Sequence, residues 1–237
     1  MLEDLLRDGF VRLGIEADET AITRFRTYYE YLEEKNSVMN LTAISGEKDV
    51  VQLHFLDCAE LLTLADLAGK RVIDVGTGAG FPGMVLKILK PDMPIVLLDS
   101  LDKRINFLRE VSDKLGFTGN DAPACIHARA EEAPKEYRAH FDIATSRAVA
   151  RLNILAEMSL PFVNKGGLFI AMKGPGCNDE INEAKRAIKT LGGEVEKYIE
   201  YTIPGTDVTH SAVLIRKTAD TPPKYPRRWA QIKKTPL

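Results

Sequence analysis

The residues best suited to chemistry lie in the stretch Arg71-Val-Ile-Asp74-Val-Gly76-Thr-Gly78-Ala-Gly80-Phe81-Pro82-Gly83. An apolar run ends in three alternate glycines and then takes up helical spacing, so the chain must turn tightly where a ligand can touch bare backbone. Ligands of open α/β sheets bind in this crevice, outside the carboxyl ends of the strands. Gly78-x-Gly80-x-x-Gly83 also fits a dinucleotide fingerprint, with Asp99 about 20 residues downstream as the ribose acid. Asp74 points elsewhere. A carboxylate at the strand end opposes a pyrophosphate but attracts an ammonium or sulfonium group, and the fingerprint opens three residues after Val75 rather than directly at the strand end. The balance favours S-adenosylmethionine (AdoMet), its methionine end near Asp74, Gly76 and Gly78, with a nicotinamide or flavin cofactor as the competing reading.

Further candidates recur where other strands end. Asp99 closes Ile95-Val-Leu-Leu-Asp99 and can accept hydrogen bonds from both ribose hydroxyls, or else cap the following helix. Ala130 and Glu131 can edge the adenine, although an acid at a helix start needs no ligand to explain it. Arg147, in Ser146-Arg147-Ala148-Val149, can hold the cofactor carboxylate in a bidentate pair, contact the substrate, or form a surface ion pair. Lys173, before Gly174-Pro175-Gly176, can meet phosphate. Cys58, Cys125 and Cys177 are far apart, with no CxxC and no histidine at ligand spacing, so neither a zinc site nor a disulfide framework is expected.

These residues must be positioned by two textures of chain. From Leu2 to Leu64 apolar residues recur at helical spacing and predict three helices: around Leu2–Leu6, around Ile22–Leu32 with Asp18 as N-cap and a stop at Asn36–Ser37, and around Val50–Leu62. Asn40-Leu-Thr-Ala-Ile44 reads as an ordered loop. From Arg71 onward, strands are predicted at 71–75, 95–98, 124–126, 141–145 and 168–172, with helices at 83–89, 103–115, 152–163 and 179–191. Such alternation implies a doubly wound, mostly parallel α/β sheet. The runs 195–203 and 208–215 are separated only by Pro204-Gly205-Thr206-Asp207, a hairpin signal that brings the strands to seven and puts an antiparallel strand at one edge. The expected organisation is an N-terminal helical region (1–66) packed on the core, a class I (Rossmann-like) methyltransferase core (67–219), and a C-terminal tail (220–237).

Net charge is -2 over 237 residues, but Thr221 to Leu237 carries Lys224, Arg227, Arg228, Lys233 and Lys234 and no acid. Interleaved with Tyr225 and Trp229, these cations form a candidate RNA-binding tail, too Pro-rich to fold alone and remote from the cofactor pocket. No run approaches the roughly 18 apolar residues of a membrane span, and the acidic, amphipathic start is unlike a signal peptide, so a cytoplasmic protein is expected.

Read in order, Asn40-Leu-Thr-Ala-Ile44, His54-Phe-Leu-Asp57, Asp74-Val-Gly-Thr-Gly-Ala-Gly-Phe-Pro-Gly83, Leu98-Asp-Ser-Leu-Asp-Lys-Arg104, Arg129-Ala-Glu131, Ser146-Arg-Ala-Val-Ala150 and Met172-Lys-Gly174 resemble the RsmG (GidB) family of bacterial 16S rRNA guanine-N7 methyltransferases. The resemblance spans nearly the whole chain. It implies AdoMet as cofactor and the small ribosomal subunit or its rRNA as partner. It also implies that Gly76, Phe81, Ala130, Glu131 and Arg147 match the family's cofactor-contact positions, with Asp99 as the ribose acid. The chain departs from the family in its tail, where Tyr225-Pro-Arg-Arg-Trp-Ala-Gln-Ile232 replaces part of a basic Lys-Gly-x-Pro-type run. Guanine N7 carries a lone pair and no proton, so the implied reaction needs alignment rather than a general base, and no cysteine nucleophile. Arg147 would then act by positioning or electrostatics.

Overall fold

A computed structural model describes residues 1–147 and 150–237; Ala148 and Val149 of the Ser-Arg-Ala-Val-Ala motif lie outside the described residues. Seven strands form one sheet: β1 (Val72–Val75), β2 (Ile95–Asp99), β3 (Ala124–His127), β4 (Phe141–Arg147), β5 (Val163–Lys173), β6 (Gly193–Thr202) and β7 (Thr209–Lys217), in the order β3-β2-β1-β4-β5-β7-β6. The first five run parallel, while β7 pairs antiparallel with both β5 and β6. This is the class I methyltransferase arrangement, ending in the hairpin that Pro204–Asp207 announces. The order reverses at β1, which pairs with both β2 and β4, and the crevice opens at that switch point. β1 and β2 are buried along their whole length, as continuous apolar runs in a covered parallel sheet must be.

One face of the sheet is covered by the N-terminal helices together with the helices Gly83–Leu89 and Asp102–Lys114. A single apolar cluster joins Leu6, Phe10, Phe25 and Phe55 to Leu97, Ile143 and Leu214. The other face carries the helices Leu152–Ser159 and Asn178–Thr190, with Tyr225 of the tail in the same cluster.

Asp18 caps the helix Glu19–Met39, its carboxylate accepting the Ala21 N–H at 2.7 Å. That helix runs past the expected stop at Asn36–Ser37 and ends where Asn40 turns left-handed. Asn36 does not terminate it because its amide is used beyond the helix: it donates to the Thr42 carbonyl and accepts the Thr42 N–H, at 3.0 and 2.9 Å, clamping the loop that follows. The third expected helix is broken into short pieces over 47–64, with a wide π-helical turn at Val51–Leu56. The helix expected over 152–163 stops at Ser159, because Pro161 lacks the N–H needed to continue it, and β5 starts at Val163.

Phe55 is fully buried, with its ring 5.0 Å from Phe25, 5.4 Å from Tyr28 and 6.1 Å from Phe81. It therefore connects the N-terminal helices to the glycine loop. Phe55→Ala should lower the unfolding free energy by about 3–5 kcal/mol in urea denaturation. A loss below about 1 kcal/mol would mean that the helices are not coupled to the sheet.

Candidate cofactor and base site

The glycine loop is held from behind by one acid and from the side by another. Asp74 is fully buried, and its Oδ2 accepts the Thr77 hydroxyl at 2.7 Å and the Gly83 N–H at 2.8 Å. A Cβ at Gly83 would lie 2.3 Å from Leu97 and 2.8 Å from that carboxylate, so only glycine lets the helix start this close to β1. Burial pushes the Asp74 carboxyl up to about 7, and its Oδ1 finds no partner among the described residues. Asp74 thus lies beneath the loop rather than in the crevice, which corrects the expectation that it meets the cofactor directly.

Asp99, also buried, accepts the Gly78 N–H at 2.9 Å and the Leu101 N–H at 2.9 Å, with Arg104 at 3.4 Å. Unlike Asp74 it lines the crevice. Gly78 has φ 62°, and a Cβ there would meet nothing within 4 Å, so its bare side faces open space.

That space is a cavity of about 530 Å³, within the roughly 300–1,000 Å³ of small-molecule sites. Gly76, Gly78, Phe81, Asp99, Ala130, Glu131 and Arg147 all line it, so the structure brings together these sequence-derived candidates. Thr42, His54, Met158 and Trp229 line it as well.

Arg147, at the end of β4, is not a surface residue. Its guanidinium donates to the Leu53 carbonyl and to Asp57 Oδ2, both at 3.0 Å, and to His54 Nδ1 at 2.7 Å, and it lies 5.1 Å from the Phe81 ring. Asp57, 1% exposed, also meets Tyr201 OH at 2.9 Å and His210 Nδ1 at 2.8 Å through Oδ1. Burial opposes its charge, but His210, Arg147 and Tyr201 outweigh burial and hold the carboxyl below its ordinary value. Because arginine only donates, His54 Nδ1 must accept, which leaves the proton on Nε2, 2.8 Å from the Thr42 hydroxyl. Phe81 stacks on the His54 ring at 4.2 Å between centroids. Sequence reasoning missed this constellation, although the three-residue spacing of His54 and Asp57 in a helical stretch was a signal for one shared face.

Other candidates fall outside the cavity. Lys173 donates to the Ala150 carbonyl and pairs with Glu180, both at 2.8 Å, and Arg227 is paired with the buried Glu157 at 2.6 Å. Lys224, Arg228, Lys233 and Lys234 are exposed. The tail is folded, with a helix at Trp229–Lys234, and it brings Trp229 to the cavity, which corrects the expectation of a tail remote from the cofactor pocket. Cys58 is buried with its thiol pushed up by burial, Cys177 sits 3.4 Å from the Ser211 hydroxyl, and neither lines the cavity. Among the described residues, no three His, Cys, Asp or Glu side chains are grouped to hold a metal ion, and no helix is long and apolar enough to cross a membrane.

The model of the GidB family, rRNA small subunit methyltransferase G, matches residues 21–206. The chain belongs to this family. It is 46% identical over 241 residues to ribosomal RNA small subunit methyltransferase G of Alkaliphilus oremlandii, covering 100% of this chain and 99% of the relative. It is 44% identical over 237 residues to that of Clostridium perfringens strain 13, covering 99% and 98%. Among solved structures, TrmN from Thermus thermophilus aligns with TM-score 0.52 and 20% identity over 68% of this chain and 48% of that one. The ribosomal protein L11 methylase from Lactobacillus delbrueckii aligns with TM-score 0.52 and 14% identity over 69% and 78%. These likenesses establish the methyltransferase fold.

Burial and the neighbouring Arg147 push His54 down to about 3. The folded state then keeps His54 neutral while the unfolded chain protonates it, so its contribution to stability is present above about pH 6.5 and is lost as pH falls toward 3. Imidazole nitrogen shifts should show the neutral Nε2–H form unchanged from pH 8 to 5. Titration of His54 near pH 6.5 would overturn the hydrogen-bond assignment.

Proposed function

We propose that this chain transfers the methyl group of AdoMet to N7 of a guanine in 16S rRNA of the small ribosomal subunit, acting in the cytoplasm as a monomer. The observation that carries the reading is the combination, in one cavity, of a cofactor-type glycine loop and a polar cluster whose histidine is already committed at both ring nitrogens. His54 is neutral, its Nδ1 accepts from Arg147 and its Nε2–H faces Thr42. Such a histidine takes up no proton, and guanine N7 has none to give. An exocyclic amine acceptor would have to shed one.

The residues present fit AdoMet. Gly78 leaves backbone open to the ligand, Asp99 lines the cavity where the ribose hydroxyls can donate to it, and Ala130 and Glu131 edge the far side. Asp74 serves through the loop, fixing Thr77 and Gly83. AdoMet supplies the methyl group on an electrophilic sulfonium. Arg147 has guanidinium N–H groups left over after its bonds to Leu53, Asp57 and His54, and these can orient the O6 edge of the base. Methylation makes the guanine cationic, and Asp57 offsets the charge of Arg147 so that the product is not repelled.

Within this reading, residues 67–219 form the catalytic core, residues 1–66 supply His54 and, from a loop, Thr42, and 220–237 is the tail. The exposed large apolar side chains Met1, Val11, Val38, Leu101 and Val208 occur singly along the chain, which supports a monomer. Phosphate contacts fall to the exposed Lys224, Arg228, Lys233 and Lys234, since Lys173 and Arg227 are held in ion pairs.

Incubation of 30S particles and of free 16S rRNA with labelled AdoMet, followed by nuclease digestion, should place the label in 7-methylguanosine. Label on an exocyclic amine or a pyrimidine carbon would reject the N7 assignment. A second expectation concerns the tail. Replacing Lys233 and Lys234 with alanine should weaken rRNA binding and reduce the slope of log affinity against log salt by about 0.7–0.9 per lost phosphate contact. An unchanged slope would place RNA binding on another surface.

A further inference from the structure

The C-terminal tail leaves the sheet after β7 and returns across the helix Leu152–Ser159 to the mouth of the cavity. Its course is fixed at several points. Arg138 donates to the carbonyls of Thr221, Pro222 and Tyr225 at 2.5, 3.1 and 2.7 Å. The Arg227 backbone N–H and side-chain Nε both donate to Glu157 Oε1, at 2.9 and 2.8 Å, and its Nη2 donates to Oε2 at 2.6 Å. Glu157 is 1% exposed, so this is a desolvated, bidentate pair whose carboxylate meets no other cation among the described residues. Tyr225 and Ile232 are buried on either side of it. A segment held this firmly does not place its large aromatic residue by chance. Trp229 lines the cavity, and its backbone N–H donates to Glu131 Oε1 at 3.1 Å.

The two aromatic walls of the cavity come from opposite faces of the sheet. Phe81 belongs to the cluster of the N-terminal helices and is stacked on His54 beside Arg147. Trp229 lies with Ala130 and Met158, whose apolar contacts belong to the other face. Asp99, suited to a ribose, ends the strand between β1 and β3. A flat, apolar heterocycle attached to that ribose fits against the indole and Met158, while the charged methionine end fits the glycine loop and Arg147.

We propose that Trp229 is a cofactor-binding residue, forming the adenine wall of the pocket, and that the tail is the strap that carries it there. The inference rests on the cavity being the AdoMet site. Stacking on an indole is worth roughly a 5- to 100-fold change in affinity.

The chain contains one tryptophan, so its emission reports on this position alone. S-adenosylhomocysteine and 5′-methylthioadenosine should both change that emission on binding, and methionine should not. Trp229→Ala should weaken S-adenosylhomocysteine roughly 5- to 100-fold by calorimetry, with an unaltered unfolding midpoint, and Trp229→Phe should recover most of the loss. If Trp229→Ala fails to fold, the wild-type emission and the Trp229→Phe affinity decide the matter. S-adenosylhomocysteine binding by calorimetry with unchanged emission and equal affinity in the variants overturns the inference but leaves the cofactor site in place. No binding to the wild-type chain overturns both, and emission that responds to rRNA alone makes Trp229 an RNA contact instead.

Discussion

Burying the guanidinium of Arg147 imposes a demand that three separate parts of the chain must meet. The charge cannot leave water without an anion and enough acceptors, because the desolvation cost is several kcal/mol per ion. Asp57 supplies the anion, while Leu53 and His54 supply acceptors, all from the helical stretch that precedes the sheet. Asp57 is then itself a buried charge, and the β6–β7 hairpin answers it with Tyr201 and His210. The pair therefore fixes the N-terminal region, the end of β4 and the hairpin relative to one another. Removing either partner would leave the other charge buried and unpaired, which is far costlier than the net worth of the pair.

The same region explains why the N-terminal helices are part of the site rather than an appendage. Tyr28, fully buried, donates its hydroxyl to the Ala79 carbonyl in the glycine loop, and its ring packs against those of Phe55 and Phe81 in a three-ring cluster. A Cβ at Gly80 would lie 2.6 Å from that hydroxyl, so the loop glycine and the helix tyrosine require each other. Asn36 fixes Thr42, and Thr42 meets His54. A loop built to present bare backbone is intrinsically soft. Here it is stiffened by Asp74 below, Asp99 beside it and Tyr28 behind it.

The strands and the glycine loop were legible because they depend on local rules. Period, turn residues and the Pro-Gly hairpin signal are written in consecutive positions, and the helix Gly83–Leu89 matches its expected bounds. What escaped depends on contacts far apart in sequence. Asn36 looks like a helix stop by type, and only its reach to Thr42 turns it into a clamp. Asp74 looks like a ligand contact by position, and only the closeness of Gly83 shows that its Oδ2 is engaged by the loop itself. Nothing local pairs Asp57 with His210, which are 153 positions apart.

The tail shows the same limit most sharply. Arg227 and Arg228 are adjacent and chemically identical, so composition assigns them one role. Yet Arg227 folds inward onto Glu157, 70 positions away, and Arg228 stays in solvent. A single buried carboxylate thus divides a basic run into an inner face that anchors and an outer face that remains charged. Trp229 follows directly on this division: with Arg227 fixed, the chain passes the crevice, where the Trp229 backbone N–H meets Glu131 and the residue joins the cavity wall. One short segment can in this way present charge outward to a polyanion and an aromatic surface inward to a small ligand, two demands that neither its cations nor its aromatics could meet without the anchor between them.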